Sequence, residues 1–157
     1  MNRLFQMRPK TAVVLCSAVL WGSLCGGALA AVFNPPIRMA HGVEYMSGGI
    51  GADEAQLMQT VAPRWPAAFE FAIKDGKGAD FAADVKVTVR DDKGNVLLDH
   101  VNSGGPYFVA RLEPGRYAVE ATLAGQVMKQ EITVQAGTST RTVFEWPAGT
   151  DMQSARS

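Results

Sequence analysis

The side chains with the widest chemical reach sit close together in the 157-residue chain: His41, Glu44, Asp53 and Glu54, around the run Ser47-Gly48-Gly49-Ile50-Gly51. A histidine beside paired carboxylates is material for general acid–base catalysis, and a hydrolase using His41 with Asp53/Glu54 is the enzymatic reading. Its spacings match neither HExxH nor any other ligand motif, so no metal is implied. The glycine run ahead of a helix suggests a second chemistry, backbone N–H groups gripping a phosphate at the helix start. No Lys-[Ser/Thr] follows it, and Asp53 and Glu54 would repel an anion there. The competing reading is a tight loop with a self-capped helix.

Other candidates are more scattered. Asp75, Asp80, Asp84, Asp91 and Asp92 are oxygen ligands near turns, but no DxDxDG spacing joins them, and Asp favours turns for its own hydrogen-bonding reasons. Trp65, Tyr107, Phe108 and Trp146 would make a sugar-stacking platform if exposed and core if buried. Ser103 lacks a GxSxG setting, which leaves a hydrolase triad without support. Basic residues form no patch, so nucleic acid is not an expected partner.

The address is written at the start. Arg3, Arg8 and Lys10 precede the apolar run TAVVLCSAVLWGSL (residues 11–24), and Ala28-Leu29-Ala30 fits the A-x-A cleavage rule. This is the layout of a secretory signal peptide, with the cut expected after Ala30. The apolar run is too short for a spanning helix, which needs about 20 residues. Loss of residues 1–30 removes three of fifteen basic residues and none of fifteen acidic ones, leaving a net charge of −3. Both cysteines, Cys16 and Cys25, leave with it. The exported chain is then disulfide-free in an oxidising compartment, periplasmic or extracellular, and depends on a core for stability. No stable membrane span remains, and a monomer without cofactor is expected.

These residues must be positioned by short elements. Residues 31–66 read as a leader with the glycine loop and one helix, Asp53–Ala62, ended by Pro63 and Pro66. Across residues 67–147 the hydrophobic period becomes two. Phe69/Phe71/Ile73 and Val85/Val87/Val89 open the pattern. Further strands follow over 96–101, 107–112, 116–123, 127–134 and 139–146. DGKGAD (75–80), DDKGN (91–95), NSGGP (102–106), Glu113-Pro114-Gly115 and Ala124-Gly125 separate them as turns. Residues 148–157 read as a flexible tail. The expected fold is all-β, a seven-stranded antiparallel sandwich with one short N-terminal helix.

Residues 83–146 resemble the carboxypeptidase regulatory-like, or transthyretin-like, β-sandwich family. The strand Val85-Lys86-Val87-Thr88-Val89 and the turn Asp92-Lys93-Gly94-Asn95 carry the resemblance. So do Leu112-Glu113-Pro114-Gly115-Arg116-Tyr117-Ala118-Val119, similar to the family's L-x-P-G-x-Y-x-V signature, and the Ala124-Gly125 turn. Tyr45–Trp65 resembles the leader of small secreted proteobacterial proteins that carry this sandwich. The resemblance implies an Ig-like/transthyretin-like sandwich serving as a non-catalytic interaction module. Its partner would be an envelope protein or, alternatively, a polysaccharide, the latter making it a carbohydrate-binding module. The contacts expected on this reading are Tyr45, Gly48, Gly49, Gly51, Asp53, Glu54, Trp65 and Tyr107.

Overall fold

Strand-forming side chains alternate through most of the chain, and the computed structural model, which describes residues 34–153, converts that alternation into two sheets. Among these residues are ten strands: β1 (Arg38–Ala40), β2 (Val43–Gly48), β3 (Ala67–Asp75), β4 (Gly78–Phe81), β5 (Lys86–Asp91), β6 (Val96–Asn102), β7 (Tyr107–Ala110), β8 (Gly115–Leu123), β9 (Gln126–Val134) and β10 (Thr140–Trp146). One α-helix, α1 (Ala52–Val61), runs into a 3-10 turn, Ala62–Arg64. A single helical turn, α2 (Thr150–Gln153), lies in the stretch read as a tail. The signal peptide and its cut after Ala30 lie outside the described residues.

The first sheet runs β1-β2-β7-β3-β10, with β4 also on β3; the second runs β6-β5-β8-β9. All seven expected strands are present, and the count rises to ten through β1, β2 and β4. β4 arises because the glycine-rich stretch spends only Gly76 and Lys77 on its turn, after which Gly78–Phe81 pairs back along β3. β1 and β2 arise from a two-residue hairpin, with positive φ at both His41 and Gly42, the type I′ requirement. β2 then pairs with β7, covering an edge that would otherwise be open. Residues 38–48 are thus built into the sheet rather than standing ahead of it.

The expectation of a purely antiparallel fold needs correction: β10 lies parallel to β3 over seven registered positions, Thr140↔Ala67 through Trp146↔Ile73. The strand grouping also differs from that of a constant-type immunoglobulin domain. A constant-type immunoglobulin sheet holds the first, second, fourth and fifth strands together. Here the first, fourth and seventh of the expected strands (β3, β7, β10) share one sheet, and the other four form the second.

Phe69, Phe71, Phe108, Phe144 and Trp146 from the first sheet meet Val87, Val89, Leu98, Val119 and Ile132 from the second in one core. Their alternation with outward residues makes each strand two-faced, and burying the inner face is the main stabilising term. Where the sheets' edges meet, three side chains tie β9 to β10. Thr140 Oγ1 donates to Thr133 O at 2.8 Å, Gln130 Nε2 to Val143 O at 2.8 Å, and Trp146 Nε1 to Gln126 O at 3.1 Å. Tyr117 Oη donates to Glu113 O at 2.6 Å, bracing the Glu113-Pro114-Gly115 corner in the manner of a tyrosine corner.

The first sheet has a second, smaller core on its outer face. Met58 of α1 packs there with Met46, Trp65, Ala68, Tyr107 and Val109. Ala68 is small, which lets the helix come close. A helix of ten residues is too short to persist alone and depends on this contact.

Candidate functional site

The glycine loop is closed by its own helix. Glu54 Oε1 accepts the Gly49 N–H at 2.6 Å. A Cβ at position 48 would come within 2.3 Å of that same oxygen, so Gly48 makes room for the carboxylate. Gly49, at φ +105°, lies against Tyr107, where an added Cβ would stand 2.5 Å from the ring. Gly51 sits at the helix start with φ +90°, and its carbonyl accepts the Ala55 N–H at 3.0 Å. Asp53 is exposed in the first helical turn. One N–H of the loop, that of Gly49, is thus already occupied by an internal carboxylate.

The aromatic contacts expected from the sequence are packed inside. Tyr45 is buried and stacks on Phe108 with ring centroids 5.4 Å apart. Trp65 is buried under α1, with the Arg111 guanidinium 4.8 Å above its ring. Trp146 and Phe108 are wholly inside the core, so no platform forms from them. The physical reason differs between them. Tyr45, Phe108 and Trp146 face the opposite sheet, whereas Trp65 and Tyr107 pack with α1 on the outer face, Tyr107 also bordering a cleft beside that helix.

His41 does not meet Asp53 and Glu54. It occupies the turn before β2, whereas Glu54 reaches Gly49 just past the other end of that strand. Six residues at about 3.3 Å each separate the two ends by roughly 20 Å. Glu44 is bound to Arg111 Nε at 2.8 Å. Ser103 is buried and donates to Gly105 O at 2.6 Å. Asp91 binds the N–H groups of Lys93 and Asn95 and the Asn95 side chain, a turn-closing role. The Asn95 side-chain hydrogen bond is the main cause holding its carboxyl below the usual carboxylate range. Among the described residues, no group of three or more His, Cys, Asp or Glu is arranged to hold a metal.

The structure instead brings together residues the sequence did not single out. Beside α1, on the outer face of the first sheet, lies a cleft of about 500 Å³. It is lined by Gln59 and Pro63 from the helical segment, by Glu70 and the largely exposed Arg141 from the sheet, and by Phe81 and Tyr107. Glu70 on β3 and Arg141 on β10 are ion-paired, and the hydrogen bond to Glu70 pushes the Arg141 guanidinium further up from its already high pKa. Gln59 Nε2 donates to Tyr107 Oη at 2.6 Å. Phe81 is 59% exposed, and its ring leans on Tyr107 with centroids 5.6 Å apart. Of these, the sequence singles out only Tyr107 as a contact residue. The available signal was period two: Glu70 and Arg141 each alternate with inward aromatic or Thr positions, which puts them outside. Their meeting depends on the β3/β10 register.

No protein-family model matches the chain, and no curated protein matches it by sequence. Among the described residues, no helix is long and apolar enough to cross a membrane.

Proposed function

We propose that this is an exported, non-catalytic binding module of the cell envelope, and that its contact site is the cleft between α1 and the outer face of the first sheet. The observation that carries the reading is the exposed Phe81 ring set beside the Glu70–Arg141 pair. Large aromatic side chains are usually buried, and one held out next to convergent polar groups supports reading this cleft as the contact site. Glu70 is ion-paired with Arg141, and the Ser139 hydroxyl donates to Ala62 O at 3.1 Å, which supports the non-catalytic reading.

Export rests on the signal-type segment 1–30, and the transthyretin-like sandwich on the L-x-P-G-x-Y corner braced by Tyr117. The test is retention of envelope material by immobilised residues 31–157. The double variant Phe81→Ala/Arg141→Ala is expected to lose the retained species. Val127→Ala, an exposed position on the second sheet, is expected to keep them. Equal retention by the cleft variant, or a turnover reaction that survives purification, overturns the proposal.

A further inference from the structure

We infer that the cleft takes a neutral, short saccharide, laid against the Phe81 ring and held by the side chains of Gln59, Glu70, Tyr107 and Arg141. This rests on the reading of the cleft as the binding site and adds the ligand's chemical class.

The argument begins with what lies beneath the cleft. β7, β3 and β10 are consecutive strands, hydrogen-bonded to one another. An extended peptide bound by strand addition needs a free edge, and this is a face. Polar recognition here falls to side chains. These have spare capacity of both kinds. Tyr107 Oη accepts from Gln59 and retains its own proton to donate. Gln59 retains its carbonyl and one N–H. Arg141 spends one N–H on Glu70, and Glu70 keeps a second oxygen.

Charge narrows the class further. Glu70 and Arg141 neutralise one another in the cleft lining, so an anion meets Glu70 and a cation meets Arg141. The ligand that suits is uncharged, with several groups that both donate and accept, and with an apolar face for the aromatic ring. A sugar ring has these properties: hydroxyls at its rim and C–H groups on its face. The cleft's volume, about 500 Å³, lies in the range of about 300–1,000 Å³ typical of small-ligand sites.

The experiment uses the chain purified in its exported form. A printed array of neutral and acidic oligosaccharides is followed by calorimetric titration with the best responders, and with cello-, malto-, xylo- and chito-oligosaccharides in any case. Saturable binding of a neutral oligosaccharide is expected, weakened about tenfold or more by Phe81→Ala. Glu70→Gln, which leaves the guanidinium unopposed, is expected to raise the relative affinity for acidic oligosaccharides. Both positions lie outside the core, and thermal melting of each variant checks that it folds. Absence of binding to every saccharide, with cleft-dependent retention of envelope material intact, overturns the saccharide class and leaves the binding-module reading standing. Saccharide binding that is unchanged in both variants overturns the assignment to this cleft. A preference of the unmodified chain for acidic saccharides overturns the charge argument.

Discussion

The glycine loop and the cleft lie on opposite sides of one tyrosine, and they treat their polar groups in opposite ways. On one side Gly49 packs against the Tyr107 ring, its N–H taken by Glu54. Ser47 Oγ nearby accepts the Gly104 N–H at 3.0 Å. On the other side Phe81 leans on the same ring, and Gln59, Glu70 and Arg141 keep hydrogen-bonding capacity unspent. The loop has the conspicuous motif and is closed on itself. The cleft has no motif and is open. A pattern of glycines and acids therefore records a packing solution here, while capacity for contact resides in ordinary residues gathered from separate strands.

The sharpest way to break this contrast is Gly49→Ala. It places a side chain at φ +105° and 2.5 Å from the Tyr107 ring. A stability loss of about 3 kcal/mol or more is expected from backbone strain and overpacking together, read by chemical denaturation. Next in size is Glu54→Ala, which leaves the Gly49 N–H without its acceptor. A loss of about 1–2 kcal/mol is expected by the same measurement. Near-zero change in either variant would mean that the loop is not the closed structural unit described. On the cleft side, Phe81→Ala should leave stability within about 0.5 kcal/mol, as an exposed residue does, while removing ligand retention. A large stability loss there would make Phe81 a packing residue and erase the contrast.

The smallest effect lies outside both regions. Asp91 is held below the usual carboxylate range chiefly by Asn95, and Glu120 chiefly by Lys129. Each contributes stability that is complete above its unfolded pKa, about 4, and is lost as pH falls through its lower folded value. Melting temperature should decline modestly on acidification below about pH 4, and less steeply in Asp91→Asn.

Much of the fold was legible from alternation and turn chemistry. Val85/Val87/Val89 and Tyr117/Val119/Ala121/Leu123 face inward as their period requires, and α1 begins one residue before the expected Asp53. Three kinds of information were not local. Gly78–Phe81 looks like loop because strand propensity ignores a partner, and β3 supplies one. Whether Trp65 and Tyr107 are surface or core stays open in the sequence, because alternation reports which face a residue takes, not whether a helix covers that face. Glu70 and Arg141 look unrelated because they are 71 positions apart, and only the parallel register of β3 and β10 makes them neighbours.

That parallel pairing also determines how the fold bears force. β3 enters the register at Ala67 and β10 leaves it at Trp146, opposite ends of one seven-position ribbon. A pull applied across these two points runs along the strands, so the rungs between them are loaded together in shear rather than opened one at a time. The side-chain ties from β10 to β9 add resistance on the ribbon's outer side. A module tethered between moving surfaces would carry tension along residues 67–146 through this shear-loaded seam.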